Sequence, residues 1–315
     1  MMRLAFLTPL PPSPSGIADY SASLLGELSR LAEIDVYSDA PASGQAPPMP
    51  RPIRDFESTH RRYDAVIYQL GNSVEHGPIY ETLLRHPGIV VLHDGTLHHF
   101  FVDRTLHRGD APAYLREMAY AHGATGYDTA IQVVRGAGIF PFYRFSLIKR
   151  AIDAAHGVIV HSQAVRGAVL AARPDAPVRI VDHFAFPAIA PTRAREAILN
   201  ELGWPADALV VASFGQVTHG KRAEVLLAAF ARFAAQEPRA RLLWAGDLSP
   251  EYDLRPVVSQ LGLASRVRFA GRVPGRELPD YLALCDIAVN LRYPTAGEAS
   301  GGVMRLFAYG KPTIV

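Results

Sequence analysis

The sequence has almost no cysteine: Cys285 is the one thiol in 315 residues. A lone thiol excludes an intrachain disulfide and fits a reducing compartment. Long apolar runs are missing too, and no stretch approaches membrane-spanning length. Neither sign of charge is in excess: 32 Lys and Arg stand against 30 Asp and Glu, a formal net of +2. That balance argues against a nucleic-acid binder and against a specialist for acidic substrates. HExxH and paired CxxC spacings are absent, so no metal is expected. No compact G-x-G-x-x-G with an acidic residue about twenty positions on follows the first apolar strand, which disfavours a dinucleotide-dependent oxidoreductase. No carboxylate pair suited to double-displacement glycoside hydrolysis stands out. The opening MMRLAFLTPLPPSPSG has too short an apolar run for a signal peptide, and prolines break it at once. It reads as a first β-strand, and the cytoplasm is the expected location.

What is present is an ordinary globular composition, 49% hydrophobic and 20% charged, at a length that suits two α/β domains. Apolar strands are expected at Leu4 to Thr8, Ile34 to Tyr37, Ala65 to Leu70, Ile89 to His93 and Val158 to His161, with Val178 to Val181 as a sixth. Helical patterns separate several of them, which predicts βαβ units and a mainly parallel sheet. Their ends are polar or glycine-rich. The first runs through the proline-rich loop Pro9 to Gly16 into a helix reaching about Leu31. Others run into Gly71-Asn72, His93-Asp94 and His161-Ser162. In an open parallel sheet the carboxyl ends of the strands face the ligand crevice, so these residues collect on one rim. Gly16, at a strand–loop–helix passage, marks a candidate anion site.

Residues 1–188 thus form an N-terminal Rossmann-like domain, 189–207 a proline-containing connection, and 208–315 a second Rossmann-like domain. In the second, strand Leu209 to Phe214 ends in Gly215, and the loop QVTHGKR leads into helix Ala223 to Gln236. Lys221 and Arg222 stand at the start of that helix, where a cation opposes the dipole unless an anion joins it. A solvated basic pair is the bland alternative, and an anionic partner explains the placement better. Strands Arg241 to Ala245, Val267 to Ala270 and Ile287 to Leu291 follow, with helices about Asp253 to Leu261 and Glu277 to Leu284 between them. Cys285 ends an apolar stretch and reads as a small buried hydrophobe.

The segment Arg292 to Val315, RYPTAGEASGGVMRLFAYGKPTIV, organises the rest. Glu298 precedes Ser300-Gly301-Gly302, and a helical pattern of Val303, Leu306 and Phe307 runs on until Gly310 and Pro312 stop it. A helix starting on small residues presents free N–H groups to phosphate. The carboxylate of Glu298 suits hydroxyls instead. His93, Asp94, His98, His99 and His107 do not make a one-face ligand set, because neighbours on a helix diverge. The run FPFYRFSLIKR (Phe140 to Arg150) is read as a helix. Either it lies at a membrane surface near a lipid-linked acceptor, or its aromatics pack under the sheet, which is favoured.

This last segment resembles the donor-binding signature of retaining GT-B glycosyltransferases of the GT4 type. PSPSGIADYSASLL, YQLGNSVEHGPIY and VVLHDGTLHHF resemble further segments of that family. The resemblance implies two facing Rossmann-like domains with mainly parallel sheets. It implies a nucleotide-diphosphate sugar as donor, a hydroxyl acceptor (a glycan, a lipid-linked saccharide or a small molecule), and no metal or other cofactor. By the same resemblance His93 orients the donor sugar, Glu298 holds its hydroxyls, and Lys221 meets the diphosphate. Gly271-Arg272-Val273 would form the base-binding turn. The sequence departs from the pattern twice. Gln216 takes the place of the usual Arg, with Arg222 as candidate replacement. A second Glu is expected eight residues after Glu298, where Leu306 stands; alignment on Gly310 and Pro312 puts Arg305 there. The family continues past the strand PTIV, so the second domain is expected to be incomplete. A GT-B sugar-nucleotide epimerase and a non-catalytic binding or scaffold protein are the alternatives.

Overall fold

The computed structural model describes residues 1–13, 15–39, 49–249 and 252–315. The described residues divide into a first unit, Met1–His183 with Ala296–Ala299, and a second, Phe184–Thr295 with Ser300–Val315.

The first unit holds a six-stranded sheet. Its strands are β1 (Arg3–Leu7), β2 (Glu33–Tyr37), β3 (Ala65–Leu70), β4 (Ile89–Leu92), β5 (Gly157–Val160) and β6 (Val178–Ile180), in the order β2-β1-β3-β4-β5-β6. Every pairing is parallel. Apolar residues dominate strands β1, β4 and β5 because helices cover both faces of the sheet. On one face Phe6 and Val36 pack with Leu10 and Leu25, the latter from helix Gly16–Leu28. On the other, Leu7, Tyr68, Val90 and Val160 join Leu83, Phe100 and Ile152 in a larger core. Each such side chain, fully buried, contributes about 1.5–3 kcal/mol of transfer free energy.

The second unit repeats the plan with five strands: β7 (Leu209–Phe214), β8 (Ala240–Ala245), β9 (Val267–Gly271), β10 (Ile287–Val289) and β11 (Thr313–Ile314). Their order is β11-β10-β7-β8-β9, again all parallel. Strand order reverses between β1 and β3 in one sheet and between β7 and β10 in the other. Those are the topological switch points at which open α/β sheets bind ligands.

Several local expectations change. Of the proline-rich loop, Pro14 lies outside the described residues, and Gly16 is already helical: Ser15 is the N-cap, its Oγ accepting the Ile17 N–H at 3.2 Å. That helix stops at Leu28. Cys285 follows helix Leu278–Leu284 as its cap, fully buried, with burial pushing its thiol up to about 11. Phe307 lies on helix Gly301–Ala308 but is exposed, whereas Val303 and Leu306 are buried.

The largest correction concerns Phe140 to Arg150, which is not a helix before Lys149. Its carbonyls are drawn outward. Thr96 Oγ1 donates to Phe142 O and Ser146 O, Leu97 N to Ser146 O, and His98 Nδ1 to Phe145 O at 2.7 Å. Pro141 supplies no N–H, and Leu147 takes a left-handed φ of 53°. Phe142 stacks on His99 with ring centroids 3.8 Å apart. Packing of single side chains, not helix propensity, shapes the segment. No helix among the described residues is long and apolar enough to cross a membrane.

One glycine beside the second switch point is sterically required. A methyl group on Gly246 would overlap the backbone carbonyl of Gly215, and backbone has no rotamer into which to retreat. Gly246→Ala is expected to destabilise the second unit by about 3 kcal/mol. Urea unfolding followed by tryptophan fluorescence checks this, because both tryptophans, Trp204 and Trp244, are buried in that unit.

Candidate functional site

The second unit's switch point is occupied by Lys221. Strand β7 ends at Phe214 and β10 is followed by Asn290. The Lys221 ammonium donates to Phe214 O at 3.3 Å and to Asn290 Oδ1 at 3.1 Å. A methyl on Gly215, whose φ is 91°, would come within 3.7 Å of the same ammonium. A Lys in the turn after β7 thus reaches back across the strand ends. These two neutral oxygens orient the ammonium at the strand ends.

Asn290 carries the contact onward. Its Nδ2 lies 3.5 Å from Ser300 Oγ, and Ser300 Oγ caps the last helix by accepting the Val303 N–H at 3.4 Å. A side chain at Gly302 would meet Ser300 Oγ at 3.7 Å and Asn290 Oδ1 at 4.0 Å. Lys221, Asn290, Ser300, Gly301 and Gly302 therefore form one continuous group: a cation beside a helix N-terminus. Arg305, on the same helix, stacks its guanidinium 3.8 Å from the Phe186 ring centroid.

Arg222 is placed differently from Lys221. It precedes helix Ala223–Gln236 with a left-handed φ of 53°, and its guanidinium lies 5.4 Å from the Tyr293 ring centroid. The two cations are neighbours in sequence but are held by different partners. Gly271 ends β9 with φ 67°, bridging Gly246, while Arg272 is exposed and Val273 packs against the core.

In the first unit the carboxyl rim gathers histidines around one tyrosine. Tyr20 comes from the helix after β1, His93 follows β4, His161 follows β5 and His183 follows β6. Ring centroids of Tyr20 lie 4.8 Å from His93, 5.2 Å from His161 and 5.2 Å from His183. His93 and His161 are 5.0 Å apart. His93 Nε2 is 2.7 Å from Gln69 Oε1, and His161 Nδ1 is 2.7 Å from Val181 O. Burial, then the neighbouring His161, His76 and His183, holds His93 well below the usual imidazole range. Burial likewise lowers His161 and His76 and pushes the Tyr20 hydroxyl up to about 12. His93, His161 and Tyr20 are therefore neutral near pH 7.

Asp94 Oδ2 accepts the Asn72 N–H at 2.9 Å, closing the loop after β3. His98 is structural: buried, bonded to Phe145 O and to the Tyr114 hydroxyl. His99 faces Asn72 and Phe142 instead. Among the described residues no group of three or more His, Cys, Asp or Glu has metal-holding geometry. Gly16 has open space where a side chain would stand. Glu298 is half-buried, and its Oε2 accepts the Ala296 N–H at 2.8 Å. Sequence reasoning passed over Asn290, Gln69 and His183. Asn290 was findable, since it is a polar residue ending a parallel strand, the rule that had singled out His93.

Residues 194–315 match the family model described as glycosyl transferases group 1. Mannosylfructose-phosphate synthase of Agrobacterium fabrum is 31% identical over 130 residues, which span 38% of this chain and 28% of that protein. The match thus covers under a third of the relative's length. Among solved structures, Anabaena HepE in complex with UDP and glucose aligns over 99% of this chain and 80% of its own, at 19% identity and a TM-score of 0.60. Sucrose-phosphate synthase from Thermosynechococcus elongatus aligns over the same shares at 15% identity and a TM-score of 0.60. The chain has the GT-B fold of these solved structures, and its residues 194–315 resemble the glycosyl transferases group 1 family.

Proposed function

We propose that this protein transfers a sugar, with retention of anomeric configuration, from a nucleotide-diphosphate donor to a hydroxyl acceptor, as a GT4-type enzyme. The observation that carries the reading is the Lys221–Asn290–Ser300 group at the second switch point. An ammonium beside a capped helix start is complementary to a departing diphosphate, whose charge grows in the transition state. The UDP and UDP-glucose complexes of HepE, and the sugar-phosphate products named for both synthases, support this substrate class.

In this reading the amides of Gly301 and Gly302 share the diphosphate with Lys221, and Gly215 leaves room for it. Glu298 holds hydroxyls of the transferred sugar, and His93 orients that sugar. Gly271, Arg272 and Val273 border the base. Arg222 supplies positive potential, and Gly16 leaves space at a helix start of the first unit. The departing phosphate accepts the acceptor proton on the same face of the sugar, and no metal takes part. The acceptor is a glycan, a lipid-linked saccharide or a small molecule with a hydroxyl; nucleic acid is not a partner.

Arg305 favours a second reading. Its stacking on Phe186 leaves this helix position to packing, where the resemblance expects a ribose-binding Glu. A degenerate binder would hold nucleotide sugars without turning them over. Incubation with a panel of nucleotide sugars and hydroxyl acceptors, with the product's anomeric configuration read by NMR, separates the two. Transfer with retention supports the enzyme; binding without transfer or donor hydrolysis supports the binder.

A further inference from the structure

One residue bonded to the histidine cluster is left unused by the reading above. Gln69, on β3, is fully buried. Its side-chain oxygen faces His93 Nε2 at 2.7 Å, and its backbone oxygen faces His76 Nδ1 at 3.0 Å. A carbonyl oxygen only accepts, so each facing nitrogen must carry the proton. His93 is therefore the Nε2–H tautomer, with Nδ1 as its lone-pair nitrogen. His76 is the Nδ1–H tautomer. His161 obeys the same logic, because its Nδ1 faces Val181 O.

We propose that Gln69 is the positioning residue for His93, fixing its tautomer so that Nδ1 accepts a hydrogen bond from a sugar hydroxyl. The proposal rests on the reading that His93 meets a sugar. The Gln69 amide nitrogen is buried and has no hydrogen-bond partner. With Nε2 protonated and bonded to Gln69, His93 presents Nδ1 as an acceptor. A hydroxyl, which both donates and accepts, is the complementary group. A phosphate, which only accepts at neutral pH, is not. The site is thereby selective for a neutral polyol edge over an anionic one.

Long-range ¹H–¹⁵N correlation spectra of the full-length protein, with histidine ¹⁵N-labelled, read each tautomer directly, and His93→Gln identifies the His93 signals. Wild type is expected to show His93 as Nε2–H at pH 7.5. Gln69→Leu should give a tautomer mixture and lower kcat roughly ten- to hundredfold, with the donor KM changing less than about threefold. Gln69→Glu keeps the acceptor and adds charge, so it should retain the Nε2–H form while moving the acid limb of kcat toward neutral pH. Finding Nδ1–H on His93 in wild type would overturn the proposal. So would a loss of activity in Gln69→Leu with the tautomer unchanged. If Gln69→Leu fails to fold, the wild-type tautomer and the acid limb of Gln69→Glu decide the matter. Full transfer activity in His93→Gln would instead sink the assignment of His93 to the sugar, while the tautomer result stood.

Discussion

Lys221→Ala is expected to lower kcat/KM for the donor by about 10² to 10³, the loss typical when one preorganised donor to developing charge is removed. The ammonium is fixed by Phe214 O and Asn290 Oδ1, so its position is set before any substrate arrives. Truncation leaves the helix amides after Ser300 but removes the ammonium beside them. Lys221→Arg should not restore activity, because a planar fork cannot replace a compact ammonium between two converging oxygens beside Gly215. Arg222→Ala should cost only a few-fold, roughly 1 kcal/mol, since its guanidinium is committed to the Tyr293 ring. Steady-state kinetics with the donor identified by transfer assay checks all three. Equal losses in Lys221→Ala and Arg222→Ala would mean that the diphosphate is held by the basic pair as such.

The second large effect is on stability. Lowering pH from 7.5 to 4 should destabilise the first unit well before the second. His98 falls from the usual 6.5 to about 4, first through burial, and His76, His93, His99, His122 and His161 are lowered for the same first reason. A base whose folded value is depressed binds its proton first in the unfolded chain. Stability is therefore intact above about pH 6.5 and lost as pH falls toward the folded values. His98 alone is worth about 3 kcal/mol over that window, at 1.36 kcal/mol per pH unit. Glu117 opposes the trend, its carboxyl raised by burial despite Arg150 beside it, but it is one group against many. The lowered histidines all lie in the first unit and both tryptophans in the second. Urea unfolding at pH 5 should accordingly give a circular-dichroism transition that begins below the tryptophan-fluorescence transition. Coincident transitions with the same midpoint at pH 7.5 and pH 5 would contradict the account.

The strands were legible because parallel strands covered on both faces are written as apolar runs, and LVVASF or RLLWA admits few other readings. Helix ends were legible where a cap or glycine marks them, as at Ser300 and Gly310. The stretch from Phe140 to Ile148 was not, since aromatics at irregular spacing imitate a helix face. What decides its path is a set of carbonyls claimed by Thr96, Leu97 and His98, 46 to 50 residues away in sequence. The same distance in sequence hid the site's inner links. Lys221 and Ser300 were recognisable by motif. Asn290, which joins them, and Gln69, which sets His93, make their contacts over |i−j| of 69 and 24 residues. Arg305 was visible as an anomaly, but its stacking on Phe186 depends on packing that no periodicity encodes.

The central claim is that the second switch point binds a nucleoside diphosphate through Lys221 and the helix start after Ser300. Isothermal titration of a panel of nucleoside diphosphates into wild type and Lys221→Ala tests it most directly. The account predicts saturable binding of at least one member, weakened about tenfold or more by the substitution and by added salt. Binding unchanged by the substitution, or no binding by any member, would contradict it.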